Sequence, residues 1–148
     1  MSATIDANVL LYASNAQSPY RERAVELIDD VARGPQIIYL FWPTVMAYLR
    51  LATHPSVFAR PMSLADARSN VSRLLELPNV QTGGESAHFW DRFGEVADDA
   101  SPRGNLVPDA HLVALMLEHG VRTIWTHDRD YRRFRGIEVL DPFAAVGR

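Results

Sequence analysis

Residues 104–120, GNLVPDAHLVALMLEHG, are the stretch around which the rest of the chain is organised. Pro108 suits the first helical position, where its missing N–H costs nothing, and Gly120 suits the left-handed position just past a helix end. Leu112, Val113, Leu115, Met116 and Leu117 leave little polar surface between them, so the sequence predicts a buried helix. Asp109 stands in its first turn, where a carboxylate gains about 0.3–1 kcal/mol from the helix dipole. Capping is therefore one interpretation of Asp109, and a functional site is the other.

Further aspartates follow predicted strands on either side of this helix. Residues 121–126 (VRTIWT) predict a strand, and Asp128 and Asp130 come directly after its end. A short buried strand at the start of the chain ends at Asp6. Parallel strands present their carboxyl ends along one edge of a sheet, and ligands bind beyond that edge. We therefore expect these acids to meet Asp109 there.

The remaining sequence alternates strand and helix patterns. Strands are predicted at 37–41, 79–82 and 137–140, and helices at 9–13, 19–33, 44–52, 64–77, 85–99 and 131–135. This alternation predicts an α/β fold in three layers, with helices on both faces of a central, mostly parallel sheet of four to five strands. Residues 1–148 are expected to form one domain, since no linker, repeat or low-complexity tract divides them.

The composition limits the class of protein. Hydrophobic residues make up 47% of the chain, which is typical of a soluble globular domain. The formal net charge of -3 is not that of a strongly basic nucleic-acid-binding chain, so RNA contact requires a local basic patch. No apolar run is long enough to span a membrane, and no signal peptide is recognisable. The lack of cysteine excludes disulfides and cysteine-ligated zinc, and a cytoplasmic protein is expected.

A group of aspartates indicates a particular chemistry. Carboxylates a few ångströms apart repel one another, and hard divalent cations such as Mg²⁺ and Mn²⁺ remove that repulsion through oxygen ligands. Such an ion lowers the pKa of a bound water and stabilises charge on a phosphoryl oxygen. The residues alone therefore predict a metal-dependent hydrolase, with phosphate esters as the expected class of substrate.

Three separated motifs resemble the PIN domain, and more closely the VapC-type toxins of bacterial toxin–antitoxin pairs. They are IDANVLLYA at 5–13, DAHL at 109–112 and THDRDY at 126–131, while YLRLATHP at 48–55 and GNLV at 104–107 resemble one VapC subgroup. The resemblance implies a PIN fold and a Mg²⁺- or Mn²⁺-dependent endoribonuclease, often acting on tRNA or other structured RNA. It also implies a homodimer and inhibition by a cognate VapB-like antitoxin.

The resemblance also assigns roles to single residues. Metal binding falls to Asp6, Asp109 and Asp128, and Asp130 joins these catalytic residues as an auxiliary carboxylate. Asn8 and Thr126 would orient the carboxylates by hydrogen bonds, and a helix cap is the alternative for Asn8.

Basic residues beside the proposed site are candidates for RNA binding. Arg129, Arg132 and Arg133 form the densest cluster with Arg135, and guanidinium groups bind phosphate through two hydrogen bonds. The alternative is a solvated helix whose arginines pair with Glu138 or Asp141. His127 flanks Asp128 and is a candidate RNA contact, whereas the other histidines are interpreted as structural. The tryptophans are expected in the core: Trp42, Trp90 and Trp125.

One feature departs from the PIN pattern. PIN nucleases usually carry a glutamate in the region that corresponds to residues 44–48, and this chain has no acid between Asp30 and Asp66. The equivalents, Val45 or Ala47, cannot bind a metal. The sequence therefore favours one tightly held ion, with a second recruited by the RNA phosphate. The alternative function is a catalytically impaired PIN domain that acts as an RNA- or antitoxin-binding module. The apolar helix at 43–52 is expected to contribute to a dimer or antitoxin-binding surface.

Overall fold

A five-stranded parallel sheet forms the centre of residues 1–144, the part of the chain that this computed structural model describes. Its order is β3-β2-β1-β4-β5, and each neighbouring pair is parallel. The predicted α/β class and the parallel sheet are confirmed. The strands are β1 Ser2–Ile5, β2 Ile37–Phe41, β3 Val80–Gly83, β4 Thr123–Trp125 and β5 Glu138–Leu140.

Helices cover both faces of this sheet and produce three layers. One buried cluster joins the first four helices to β1 and β2, and a second joins the last two to β4. Alternate strand residues point to opposite faces, so each face has its own core. The helices are α1 Ala7–Ser14, α2 Arg21–Arg33, α3 Trp42–Ala52, α4 Leu64–Leu75, α5 Phe89–Ala100 and α6 Leu106–Glu118.

Helix α6 is the buried element that its sequence predicts. It begins at Leu106, so Pro108 lies in its first turn and not at its first position. Gly120 has φ +70°, and its N–H donates to Leu117 O while that of Val121 donates to Met116 O at 2.8 Å. These two bonds form a Schellman motif that ends the helix in the left-handed conformation.

Other predicted boundaries are shifted. Helix α5 begins at Phe89 and not at Glu85, and the predicted helix at 131–135 is a 3₁₀ turn over Arg129–Arg133. Two of the three tryptophan predictions are wrong, since Trp42 and Trp90 are 43% and 76% exposed. In α5, Val96 packs inward with Phe89 and Phe93, and this spacing turns Trp90 outward. Among the described residues, no helix is long and apolar enough to cross a membrane.

Candidate metal centre

The four aspartates singled out by the sequence come from three separate elements at one edge of the sheet. Asp6 follows β1 and is the N-cap of α1, and Asp109 lies in the first turn of α6. Asp128 and Asp130 follow β4, the neighbour of β1 in the sheet. The Asp6 N–H donates to Trp125 O at 3.0 Å and extends the pairing of the two strands to the site.

Three of these carboxylates form a compact group. Asp109, Asp128 and Asp130 each offer one oxygen, and the three atoms lie within 4.8 Å of one another. The resemblance implies only an auxiliary role for Asp130, but the structure brings it into the same group. Asp6 stands beside the group, close enough for the charge of Asp128 to raise its pKa. The acidic cluster is defined here as these four residues.

Thr126 connects two parts of the acidic cluster. Its buried hydroxyl donates to Asp6 Oδ2 at 2.7 Å. The hydroxyl oxygen, Thr126 Oγ1, also accepts the N–H of Asp128 at 3.0 Å. Asp128 Oδ1 in turn accepts the N–H of Asp130 at 2.9 Å, which caps the 3₁₀ turn. These bonds fix the backbone that carries three of the carboxylates.

Asn8 does not cap a helix. Helix α1 already begins at Ala7, with Asp6 at the N-cap, so Asn8 lies within the first turn and the capping alternative is wrong. The N–H groups of Ala7 and Asn8 point toward the Asp6 carboxylate and lower its pKa. An orienting role for the Asn8 side chain stays a prediction.

Burial and the charge of Asp128 oppose ionisation of Asp6 and Asp109. Desolvation, followed by the charge of Asp128, raises the pKa of Asp109 from its ordinary value of 3.8 to about 6. Desolvation also raises the pKa of Asp6, and the hydrogen bond from Thr126 only partly offsets it. A bound cation reverses this preference and stabilises the ionised carboxylates.

Tyr131 is a neighbour of the acidic cluster that the sequence analysis missed. Its side chain is buried, and hydrogen bonding by its hydroxyl lowers the pKa of Asp109. Burial and the charges of Asp6 and Asp109 raise the pKa of the phenol, so Tyr131 remains a donor. The sequence did contain a signal for this contact, because Tyr131 is an aromatic residue only three positions after Asp128. The 3₁₀ turn directs its side chain inward.

The metal-free protein is expected to lose stability as pH rises from about 4 to about 7. Between 3.8 and about 6, Asp109 binds more protons in the folded than in the unfolded state, so raising the pH favours unfolding. Asp109 is only half-buried, which reduces the expected change to about 1 kcal/mol. Chemical denaturation in chelator at pH 5 and pH 7.5 measures it. If the unfolding free energy of Asp109→Asn changed between the two pH values as much as that of wild type, Asp109 would not be the origin of the effect.

The basic residues lie beside the acidic cluster. Arg129, Arg132 and Arg133 are exposed on the 3₁₀ turn that follows Asp128. Arg135 pairs with Asp99 at 3.7 Å and not with Glu138 or Asp141, the partners considered from the sequence. In place of the missing glutamate, α3 presents the apolar residues Val45 and Ala47, of which Val45 is buried.

Comparison with known sequences identifies the family. Residues 3–137 match the PIN domain. Ribonuclease VapC48 of Mycobacterium tuberculosis is 46% identical over 144 residues, which cover 97% of this chain and 99% of that protein. Ribonuclease VapC37 of the same organism is 32% identical over 142 residues, covering 96% and 98%. The chain therefore belongs to the PIN-domain family. Within that family it is a VapC-type protein.

Solved structures agree on the fold. VapBC2 from Rickettsia felis, bound to a DNA fragment from its promoter, has a TM-score of 0.69 at 13% identity and covers 95% of this chain and 98% of that chain. VapC20 of Mycobacterium tuberculosis, a sarcin–ricin loop cleaving toxin, gives 0.65 at 17% identity, covering 88% and 93%. The PIN fold expected from the motifs is confirmed.

Proposed function

We propose that this chain is a metal-dependent endoribonuclease toxin that cleaves phosphodiester bonds in structured RNA, with tRNA as one candidate class. The observation that carries the proposal is the convergence of Asp6, Asp109, Asp128 and Asp130 from three chain segments. The ribonuclease names of VapC48 and VapC37 support the reaction.

The residues present fit Mg²⁺ or Mn²⁺. All the donors are carboxylate oxygens, which hard divalent ions prefer. Burial, followed by the charge of Asp128, raises the pKa values of Asp6 and Asp109, and a cation offsets both effects. Asp6, Asp109 and Asp128 would hold the ion, as the resemblance implies, and Asp130 is a further candidate ligand because its oxygen lies within 4.8 Å of those of Asp109 and Asp128. When bound, the ion supplies an acidified water and stabilises charge on the phosphoryl oxygen.

Neighbouring residues of the chain orient and bind. Thr126 holds the Asp6 carboxylate through its hydroxyl, and Tyr131 donates toward Asp109. The exposed guanidinium groups bind RNA phosphates beside the cut and fix the substrate relative to the carboxylates. They belong to Arg129, Arg132 and Arg133.

Purified protein incubated with total cellular RNA and Mn²⁺ is expected to produce discrete 5′ ends, which sequencing can map. Excess chelator is expected to abolish those ends, and added Mn²⁺ to restore them, because no carboxylate alone activates the attacking water. Cuts that persist in chelator would contradict metal dependence. RNA binding without cuts would instead support the impaired-module alternative, which the apolar residues Val45 and Ala47 favour.

An apolar groove lies on the face of the sheet that carries α1, α2 and α4. It encloses about 600 Å³, and its apolar lining includes Leu10, Ala13, Val25, Ile28, Val71, Leu74 and Leu77. We assign this groove to an amphipathic segment of a VapB-like antitoxin. Arg21 and Arg73 at its exposed rim would pair with acidic residues of that segment.

A polar network forms part of the wall of this groove. The Tyr48 hydroxyl lies 2.7 Å from Ser14 Oγ and accepts the Asn70 amide N–H at 3.1 Å. The predicted antitoxin role of α3 thus rests on Tyr48 alone. Trp42 and Met46, one turn apart and 43% and 55% exposed, instead supply apolar surface for the proposed homodimer.

A further inference from the structure

His127 is a half-exposed ring between two residues of the candidate metal centre, Thr126 and Asp128. Its Nδ1 lies 3.0 Å from Asp141 Oδ2 and 3.2 Å from Oδ1. Asp141 is itself held in place, since its Oδ1 accepts the N–H of Phe143 at 2.8 Å. The imidazole plane is therefore fixed relative to the acidic cluster.

Aromatic rings support His127 from the protein side. The His127 ring centroid lies 5.0 Å from that of Tyr20 and 5.5 Å from that of Phe143. Tyr12 completes the group, 5.1 Å from Tyr20 and 5.4 Å from Phe143. The charges of Asp6 and Asp128 reach Tyr12, so this aromatic group borders the acidic cluster.

Exposure distinguishes His127 from Phe143. Phe143 is 1% exposed and serves the core, whereas 37% of the His127 side chain remains open to solvent. The His127 ring is held by Asp141, packs at 53° to Tyr20 and at 81° to Phe143, and keeps part of its surface in solvent. A ring held in this way loses little entropy on binding a flat ligand. That arrangement fits a nucleobase.

We propose that the solvent-exposed part of the His127 ring is a stacking platform for an unpaired base of the RNA next to the scissile phosphate. The inference rests on the proposed endoribonuclease function. Proteins recognise single-stranded RNA by stacking splayed bases on aromatic and histidine rings, and every base offers a π-face. Asp141 acts as a positioning residue for the ring, and the neighbouring carboxylates act on the phosphate.

Three substitutions separate stacking from the other roles of this side chain. His127→Phe keeps an aromatic ring and loses the hydrogen bond to Asp141. His127→Asn keeps a side chain that can hydrogen-bond to Asp141 and loses the ring. His127→Ala loses both. His88→Ala, which changes an exposed histidine at the start of α5, is the matched control.

Affinity is measured by fluorescence anisotropy with a labelled single-stranded oligoribonucleotide, in chelator so that no cleavage intervenes. An abasic site is moved along the same oligoribonucleotide. Wild type, His127→Phe and His88→Ala are expected to bind alike, whereas His127→Asn and His127→Ala bind about 5- to 100-fold more weakly, the range found for loss of base stacking. At one abasic position the difference between wild type and His127→Ala should disappear.

Several outcomes would overturn the platform. One is an equal RNA affinity of wild type and His127→Ala. Another is a His127→Phe variant that binds RNA as weakly as His127→Ala. The third is a difference in affinity between wild type and His127→Ala that persists at every abasic position. A His127→Ala variant that loses antitoxin and keeps RNA would make the ring a protein contact instead. Thermal unfolding identifies a merely structural effect, and the abasic comparison remains decisive even then. Failure of wild type to cut RNA, with stacking intact, would contradict the endoribonuclease proposal alone.

Discussion

Asp109→Asn is expected to lower the rate of RNA cleavage by at least about 100-fold while the fold stays intact. Loss of residues that only support a metal ligand already costs about 10- to 100-fold, and Asp109 belongs to the group of converging carboxylates itself. The amide has nearly the same shape but carries no charge, so the ion loses a strong ligand. Initial rates on a mapped oligoribonucleotide at saturating Mn²⁺ measure the loss.

Stability should move in the opposite direction. In chelator at pH 7.5 the Asp109→Asn variant is expected to be more stable than wild type, by on the order of 1 kcal/mol, because one repelling carboxylate is gone. Asp98→Asn is the matched control, since it removes an exposed acid of α5 outside the acidic cluster. Wild-type cleavage by Asp109→Asn would refute the proposed site, and equal losses in both variants would indicate a general charge effect.

Val25→Arg is expected to weaken binding of the VapB-like antitoxin by about 100-fold or more. Val25 lines the apolar groove, so a guanidinium there would be buried without a partner when the groove is filled. Val25 is only half-buried in the free protein, and the arginine can reach solvent until the partner binds. RNA cleavage should therefore be retained, since no residue of the acidic cluster lines the groove.

The control for this substitution is Val57→Arg. Val57 is 42% exposed and lies outside the groove, so the same chemical change should leave antitoxin affinity within about twofold. Titration calorimetry with the proposed VapB-like antitoxin gives both affinities. Unchanged binding by Val25→Arg would move the antitoxin to another surface, and equal weakening by both variants would point to long-range repulsion.

Helices and strands whose ends are marked by particular residues were predictable from the sequence. The end of α6 required a residue with positive φ, and Gly120 supplied it in sequence and structure alike. Asp6 and Asp128 were predictable as neighbours because each follows an apolar strand, and parallel strands end at the same edge. Local signals therefore sufficed wherever a strand or helix terminus fixed the position of the acid.

What depends on tertiary packing was not predictable. Asp130 was expected at this edge of the sheet, but its close approach to Asp109 and Asp128 accompanies a tight 3₁₀ turn over Arg129–Arg133, where the sequence predicted a helix from residue 131. Trp90 has a large hydrophobic side chain of the kind found in protein cores, and only the inward packing of Phe89 and Phe93 turns it outward. The groove lies between helices that are distant along the chain, so no single motif encodes it.

The hydrogen bond from Thr126 to Asp6 joins residues 120 positions apart. Strand β1 is synthesised before β4, its partner on one side in the centre of the sheet, so that edge of β1 stays open until β4 has been synthesised. Contacts of such long range form late and slowly in folding. A ribosome-bound nascent chain would thus carry Asp6 without its counterparts, and the acidic cluster would form only after β4 and the turn that follows it have been synthesised.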